Sequence, residues 1–579
     1  MQLTSLDWAI IAAFLLISLI IGIVVSRKAG TSSAEFFLSG RNMPWWLLGI
    51  SMVATTFSAD TPNLVTDIVR KNGVSGNWVW WAFLLTGMLT VFVYSKLWRR
   101  SGLLTDLEFY EIRYGGKNAA FLRGFRAVYL GVVFNVLVMA GVCLAAIKIG
   151  GVMLGLSAIE TLLITSVVTV IYSSIGGLRG VLFTDFFQFT LAMVGTIWAA
   201  VVLLDLPQVG GLDGLLANQE VASLTSFFPD FSNTEALIPL LILPLAVQWW
   251  SVWYPGAEPG GGGYIAQRML AAKDEQNAMG ATLLFNIAHY ALRPWPWIIV
   301  ALCSVIVFPT LESIQAAFPH IDPSIVNDDL AYPAMLTFLP AGLLGLVIAS
   351  LASAFMSTIS THLNWGSSYV VNDFYQRFVK PDASEKELVM VGRVSTVLLM
   401  VFAALFALVL TNALQAFNIL MQIGAGTGAI FILRWFWWRI NAWTEISGMV
   451  ISFIVALVLE VIAPNLVPPN FKLVVGVGIT TVGWLAVTFL TQPETDETLK
   501  AFCKHVNPTV GWKAYRSTDV AVVGNLPLQI LGMFLGCVVV YAALFATGSF
   551  IYGNDVIGGV LAVVSAGCLV LLARLWKRF

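Results

Sequence analysis

Residues 58–63 of the chain read Ser58-Ala59-Asp60-Thr61-Pro62-Asn63 and interrupt an apolar run at 44-70. A second interruption, Tyr254-Pro255-Gly256-Ala257-Glu258-Pro259-Gly260-Gly261-Gly262-Gly263, follows the apolar run at 237-256. In lipid a broken helix leaves backbone groups unpaired at a cost of several kcal/mol each, so it persists only where it lines a cavity or binds something. The two interruptions therefore predict two discontinuous helices around a site. A proline kink followed by an ordinary interhelical loop is the alternative.

The composition indicates that the lipid bilayer is the solvent of this chain. Of the 579 residues, 58% are hydrophobic and only 11% are charged, and the mean hydropathy is +0.84, which fits no water-soluble class. A net charge of −1 and the lack of a basic tract with interleaved aromatics argue against nucleic acid as a partner. We expect neither a disulfide framework nor a metal cluster from the five cysteines.

Apolar runs recur along the whole chain and are long enough to cross a bilayer core of about 30 Å. They predict an all-α polytopic membrane protein with about 15 transmembrane helices, near 6-26, 44-70, 74-98, 121-153, 157-176, 181-205, 237-256, 280-308, 334-371, 391-411, 413-436, 442-463, 472-491, 523-547 and 556-575. Lysine and arginine fall in alternate loops, and the loops 206-236 and 309-333 contain neither. Because positive loops stay cytoplasmic, we expect an outside N-terminus and a cytoplasmic C-terminus in a plasma membrane, such as a bacterial inner membrane.

The two interruptions begin two blocks of five spans each. Since five spans separate the interruptions, the blocks start in opposite orientations, which is the layout of an inverted repeat whose discontinuous helices mark a transport site. The expected organisation is an extra N-terminal helix and cytoplasmic loop at 1-43, a first repeat at 44-205, an outer loop at 206-236, a second repeat at 237-436 and C-terminal helices at 437-579.

The span at 334-371 contains Ala352-Ser353-Ala354-Phe355-Met356-Ser357-Thr358-Ile359-Ser360-Thr361-His362-Leu363-Asn364. At 3.6 residues per turn Ser357, Ser360 and Thr361 share one face, and Thr358 lies beside them. Hydroxyls, a carboxylate and carbonyls freed from an unwound helix are the oxygen ligands that a small hard cation prefers, and sodium fits that set. The alternative is that these hydroxyls only bond to the carbonyl four residues back or to neighbouring helices.

A few ionisable residues lie inside apolar spans, where each is costly unless it is paired or wet. Asp185 follows the glycine-rich segment 176-180, which predicts a place in the first turn of a helix, where a carboxylate could simply complement the helix dipole. Arg293 lies mid-span beside two prolines and needs an anion, a polar solute or water, unless it pairs with Asp60 or Asp67 for structure. The residues expected to serve in packing are His289 and His362.

The residues resemble those of the sodium/solute symporter family, which includes sodium-coupled carriers of glucose or galactose, proline and sialic acid. The resemblance covers the chain from about 5 to 440, in order. It is carried by four motifs: Phe36-Phe37-Leu38-Ser39-Gly40-Arg41 with Pro44-Trp45-Trp46; Gly176-Gly177-Leu178 through Thr184-Asp185 and Gln188; Gln267-Arg268 with Ala271-Ala272-Lys273; and the hydroxyl cluster ending in Asn372-Asp373-Phe374-Tyr375.

This resemblance implies a core of two inverted five-helix repeats with extra helices at both ends. It also implies sodium as the coupling ion, one or two per cycle, and no other cofactor. The main sodium site, the first sodium set, would consist of Ala54, Phe57, Ala354, Ser357 and Thr358. A second sodium set would consist of Asp185, Ser357, Ser360 and Thr361.

The substrate site of the family carries over less well. Where sugar carriers place polar side chains, this chain has Thr56 and Thr61 on the first core helix but Val79 and Trp80 on the second. Arg293 stands where those carriers have a lysine, and its fork suits carboxylate or sulfonate as well as hydroxyls. The expected solute contacts, the solute set, are Thr56, Asp60, Trp250, Trp253 and Arg293.

The sequence favours a transporter over an enzyme, because no paired carboxylates or metal ligands form a catalytic cluster. The hypothesis is a sodium-coupled symporter that imports a small polar organic solute by alternating access. The solute would be a sugar, a sugar acid or a related carboxylate or sulfonate, and the transport unit would be a monomer in the bilayer. An uncoupled solute sensor or channel on the same fold is the alternative.

Overall fold

A computed structural model of the chain describes residues 3–26, 33–252, 258–410, 421, 422, 424, 426–517 and 524–579. These residues form helices and connecting turns. The longer helices, labelled in chain order, are α1 (Ser5–Ser26), α2 (Trp45–Thr56), α3 (Asp60–Asn72), α4 (Val74–Ser101), α5 (Gly116–Leu154), α6 (Ala158–Leu204), α7 (Thr234–Ala246), α8 (Gly263–Ala271), α9 (Glu275–Val307), α10 (Leu343–Val379), α11 (Glu385–Ala407), α12 (Ala442–Glu460), α13 (Pro469–Leu490), α14 (Leu526–Ile551) and α15 (Asp555–Leu575).

The helices confirm the all-α membrane class. Within the described residues, ten helices are long and apolar enough to cross a membrane, and shorter apolar helices accompany them. Apolar side chains on the outer helices are exposed, including Val401 of α11, Val482 of α13 and Val563 of α15, as expected where lipid rather than water covers the surface. The total of about 15 crossings stays a prediction, and part of the span at 413-436 lies outside the described residues.

The first interruption is a short break between α2 and α3. Helix α2 ends at Thr56, Phe57 has φ −86° and ψ 78°, and α3 begins at Asp60. The break therefore covers 57–59 and is shorter than the predicted 58–63. The reason is that Pro62 fits the first turn of α3, where its missing N–H would have no intrahelical partner.

The second interruption is much longer. Helix α7 ends at Ala246, a 3-10 turn covers Gln248–Trp250, and α8 begins only at Gly263; residues 253–257 lie outside the described part. Gly260 and Gly261 have φ of +87° and +82°, a left-handed backbone region that glycine enters without steric cost. Both predicted helix breaks are thus present.

The region predicted as two spans, 157-176 and 181-205, is helical throughout α6, so the prediction of a non-helical loop at 176-180 is wrong. Both halves of α6 contact α10: Ser173 donates to the carbonyl oxygen of Ser360 at 3.4 Å, and Asp185 accepts from Ser357 at 2.5 Å.

Helix α10 lies at the centre of the molecule. Nearly all of its residues from Leu343 to Ser368 are buried, and α1, α2, α6 and α11 all pack against it. The hydroxyl cluster is therefore inside the protein and faces other helices rather than lipid.

Candidate functional site

The hydroxyls of α10 face two different helices. Thr358 Oγ1 donates to the backbone carbonyl oxygen of Thr55 in the last turn of α2, at 2.8 Å. Ser357 Oγ donates to Oδ1 of Asp185 on α6, at 2.5 Å. The three polar side chains are at most 2% exposed. Ser357 and Thr358 therefore bond to neighbouring helices, as the alternative of structural hydroxyls also allows, and connect α10 to a carboxylate and to the first break.

The carboxylate of Asp185 is held by hydroxyls from two helices. Oδ2 accepts from Ser51 Oγ of α2 at 2.5 Å, and Oδ1 accepts from Ser357 of α10. The expectation that Asp185 lies in the first turn of a helix is wrong, since helical backbone begins well before it at Ala158. Complementing a helix N-terminus therefore does not explain its burial, whereas the two hydroxyl contacts do.

The other members of the second sodium set lie close by. Thr361 Oγ1 lies 3.2 Å from Thr55 Oγ1 and accepts from Arg268 Nη2 at 3.1 Å. Ser360 Oγ instead donates to the carbonyl oxygen of Ser357 on its own helix, at 3.1 Å. The structure thus joins three members of the set in one network, whereas the hydroxyl of the fourth member, Ser360, bonds to the backbone of its own helix.

The first sodium set lies where α2 ends. The carbonyl oxygen of Ala54 accepts from the amide of Phe57 at 3.1 Å, and Phe57 is the first residue of the break. Ala354 is buried one turn before Thr358 on the same face of α10. The end of α2 therefore presents carbonyl oxygens beside a hydroxyl, the type of ligand that a small hard cation prefers.

A second polar cluster surrounds two members of the solute set. Arg293 Nη1 donates to Thr56 Oγ1 at 3.1 Å and to the carbonyl oxygen of Val53 at 3.4 Å. The guanidinium carbon lies 5.3 Å from the ring centre of Trp297, at the distance of a cation–π contact. Thr56 Oγ1 also lies 3.0 Å from Nδ1 of His289. Thr56 and Arg293, two members of the solute set, are therefore in contact immediately before the first break.

Of the three remaining members of the solute set, the structure describes Asp60 and Trp250. Asp60 is the first residue of α3, across the break from Thr56. Trp250 lies in the second interruption, and its ring centre is 5.8 Å from that of Trp249. The backbone carbonyl oxygen of Trp249 accepts a hydrogen bond from Thr86 of α4. Trp253 lies outside the described residues.

Three further ionisable residues, Asp67, His289 and His362, were expected to serve in structural pairing or packing. Asp67 forms an ion pair with Lys71 at 2.6 Å, so it already has a cationic partner other than Arg293. Nδ1 of His362 lies 2.6 Å from Oδ1 of Asn135, a contact expected of a packing residue. His289 differs, because it contacts Thr56 and its ring lies 5.7 Å from that of Trp80. It therefore belongs to the polar cluster around Arg293.

Sequence reasoning missed three contributors to the network around Asp185. Ser51 and Thr55 are one turn apart on α2 and face α10, so their spacing was a signal that went unused. Arg268 was noticed only as part of a motif, and nothing local indicates that its guanidinium reaches α2 and α10. Such contacts depend on how separate helices pack.

Two of the motifs meet in space. The amide of Met43 donates to the carbonyl oxygen of Ala271 at 3.2 Å, and the amide of Lys273 donates to that of Met43 at 3.0 Å. Gln267 Nε2 donates to the carbonyl oxygen of Phe37 at 3.0 Å. The segment before α2 is therefore fixed to α8, which follows the second break.

The fold and this site define a polytopic membrane transporter rather than an enzyme. A profile of the sodium:solute symporter family matches residues 36–452, and the chain belongs to that family. Sodium is accordingly its coupling ion and transport its activity.

Individual proteins that the chain resembles are sodium-coupled transporters as well. A sodium/glucose cotransporter of Vibrio parahaemolyticus is 28% identical over 480 residues, which cover 79% of this chain and 86% of the relative. The human sodium/myo-inositol cotransporter 2 is 26% identical over 497 residues, covering 79% of this chain and 70% of the relative. A Na+-coupled sialic acid symporter, solved substrate-bound in an outward-open state, matches with a TM-score of 0.64 and 19% identity over 85% of this chain and all of that chain. The structural match supports the fold.

Proposed function

We propose that this symporter imports a small polar organic solute, a sugar, sugar acid or related carboxylate or sulfonate, together with sodium. The observation that carries the proposal is the contact of Thr358 with the Thr55 carbonyl at the first break, at 2.8 Å. This contact places the Thr358 hydroxyl against a backbone carbonyl oxygen at the end of helix α2, beside the carboxylate of Asp185. Sodium would bind there to the first sodium set, and the second sodium set is the candidate for a further ion.

The transport mechanism we propose is alternating access. Sodium bound between α2 and α10 would fix the angle between these helices, because its ligands come from both. That conformation would bind solute beside the break, and rocking of one helix bundle against the other would expose both to the cytoplasm. The two broken helices, α2–α3 and α7–α8, support the proposal that blocks 44-205 and 237-436 are inverted repeats.

The solute class is inferred from Thr56, His289 and Arg293. A threonine hydroxyl and an imidazole can each donate or accept, which suits sugar hydroxyls, while a guanidinium binds carboxylate or sulfonate in bidentate fashion. The glucose and myo-inositol relatives support a polyhydroxylated solute. Arg293 extends the class to acidic derivatives of such solutes.

The test is a thermal-shift screen of the purified protein against sugars, sugar acids, amino acids and sulfonates, in sodium and again in potassium. We expect one solute class to raise the melting temperature, and to do so only in sodium. Arg293→Gln should abolish the solute-dependent shift while sodium alone still stabilises the protein. Arg377→Gln, at a residue with 46% side-chain exposure, is the matched control and should retain the solute shift.

Equal stabilisation by a solute in sodium and potassium would contradict coupling and favour the uncoupled sensor or channel. A solute shift that survives Arg293→Gln would remove Arg293 from the solute site. Because sodium and solute affinities must rise together in a coupled carrier, sodium should also tighten with solute present.

A further inference from the structure

Arg268 brings a positive charge into the second sodium set. It belongs to α8, the helix that resumes after the second break, and its side chain is fully buried. Nη2 donates to Thr361 Oγ1 at 3.1 Å, and both Nε and Nη2 donate to Ser51 Oγ at 3.3 Å. The guanidinium therefore lies against α2 and α10 at the level of Asp185.

Ser51 links this guanidinium to the carboxylate of Asp185. Its hydroxyl accepts from Arg268 and donates to Asp185 Oδ2 at 2.5 Å. Buried charges persist when opposite charges and hydrogen bonds compensate them. Arginine stays protonated under all ordinary conditions, so in this conformation it supplies a permanent positive charge beside the one carboxylate of the set.

A sodium ion in the second set would share Thr361 with Arg268. With a sodium–oxygen distance of about 2.4 Å, near that of other hard cations, the ion would lie at most about 5.5 Å from the guanidinium nitrogen. Two positive charges at that separation, in the effective dielectric of a protein, weaken ion binding by about 100-fold. The carboxylate of Asp185 can compensate only one of them.

We propose that the guanidinium of Arg268 takes the place of a cation in the second sodium set. Sodium then binds to this set only when the guanidinium moves away. The inference rests on the proposed sodium coupling and refines it. In this conformation the first set is the sodium site, and occupation of the second set requires α8 to move. Since α8 follows the second break, ion binding at Asp185 would be coupled to displacement of the second broken helix.

The experiment measures binding of radioactive sodium to the purified full-length protein without solute, in a choline background. We expect wild-type protein to bind one ion, which Thr358→Val abolishes. Arg268→Gln keeps a hydrogen-bond donor but removes the charge, and it should add a second ion or tighten the second site by about 100-fold. Arg268→Lys keeps the charge and should bind one ion, and adding Asp185→Asn to Arg268→Gln should remove the second ion.

Each contrary result has a distinct meaning. Two ions bound to the wild-type protein, or a folded Arg268→Gln protein with unchanged sodium binding, would overturn the role of Arg268 and leave sodium coupling intact. No sodium bound to the wild-type protein would overturn the proposed function itself. The wild-type ion count decides the matter even if Arg268→Gln fails to fold.

Discussion

The two helix breaks of this transporter are stabilised by different chemistry. The first covers 57–59, and hydroxyls of Thr358 and Thr61 donate to carbonyl oxygens at its edge, at 2.8 and 3.4 Å. The second includes the described residues 247–252 and 258–262 and contains Glu258, whose carboxylate is 3% exposed and forms ion pairs with two arginines. Hydroxyls thus donate to carbonyl oxygens at the edge of the short break, whereas buried ion pairs hold the long one.

The ionic cluster at the second break joins four parts of the chain. Glu258 pairs with Arg126 of α5 and with Arg434, 3.3 Å from Oε2. Glu445 of α12 lies 3.8 and 3.6 Å from the same two arginines and accepts from Tyr114 at 2.6 Å. These charges are fixed by each other, so the loop before α8 is anchored on its glutamate.

The difference suggests a division of roles between the breaks. A carbonyl that accepts from a hydroxyl keeps a second lone pair, so the first break can still offer oxygens to a cation. The second break has its charges satisfied within the protein and acts as an anchor. The predictions below test this division, from the largest expected effect to the smallest.

Glu258→Gln should have the largest effect. It removes one of the two carboxylates, those of Glu258 and Glu445, that form ion pairs with Arg126 and Arg434 among the described residues, and breaking a buried ion pair costs about 3–5 kcal/mol. The melting temperature of the detergent-purified protein should fall clearly. Glu275→Gln is the matched control, because Glu275 pairs with Arg100 at 3.0 Å but is 35% exposed, and such pairs are worth about 0–1 kcal/mol. Equal losses in both variants would refute the anchoring role of Glu258.

Gly260→Ala should have the next largest effect, through the backbone of the second break. Gly260 has φ +87°, and an added Cβ would lie 3.2 Å from the ring of Tyr94; its carbonyl accepts from Trp98 Nε1 at 2.8 Å. We expect a loss of about 1–3 kcal/mol, measured as a lower melting temperature. Gly151→Ala in helix α5 should be tolerated, because the nearest atom to the added Cβ would be the carbonyl oxygen of Leu156, 3.8 Å away. The prediction fails if Gly260→Ala is as stable as Gly151→Ala.

Thr358→Val should affect the first break mainly through sodium. Without sodium the loss of one hydrogen bond to the Thr55 carbonyl should cost about 1–2 kcal/mol. In wild-type protein, sodium at ten times its Kd should add about 1.4 kcal/mol of stability, and this increment should vanish in the variant. Thr282→Val is the control, since the buried Thr282 donates to its own helix at Ala278, 2.9 Å away. Sodium stabilisation that persists in Thr358→Val would contradict the first sodium set.

The sequence predicted the features that depend on local pattern. Proline and glycine marked both breaks, and helical periodicity placed Ser357, Ser360 and Thr361 on one face of a helix with Thr358 beside them. It could not predict which groups meet across helices, such as Ser51 with Asp185. Lysine and arginine were expected in cytoplasmic loops, yet Arg126 and Arg434 are buried around Glu258. An arginine looks the same in the sequence whether it faces water or a buried carboxylate.

The smallest predicted effect concerns ion pairs of Glu111, which lie outside the membrane spans. They contrast with the buried ionic cluster around Glu258. Glu111, between α4 and α5, bonds with Arg123 at 2.5 Å and Arg377 at 3.0 Å. Partial burial raises the pKa of Glu111, but hydrogen bonds and charge from Arg377 and Arg123 outweigh it and hold the pKa below the usual 4.5.

A carboxyl whose pKa is lowered by folding adds stability above its unfolded pKa, and this contribution is lost as pH falls through the folded value. Glu111→Gln should therefore lower stability by less than about 1 kcal/mol at neutral pH, and the difference from wild type should shrink as pH falls below the usual pKa of 4.5 and through the lower pKa of the folded protein. Melting temperatures of both proteins measured between pH 7 and pH 3 check this. A difference that stays constant over that range would mean that Glu111 contributes through packing rather than through its charge.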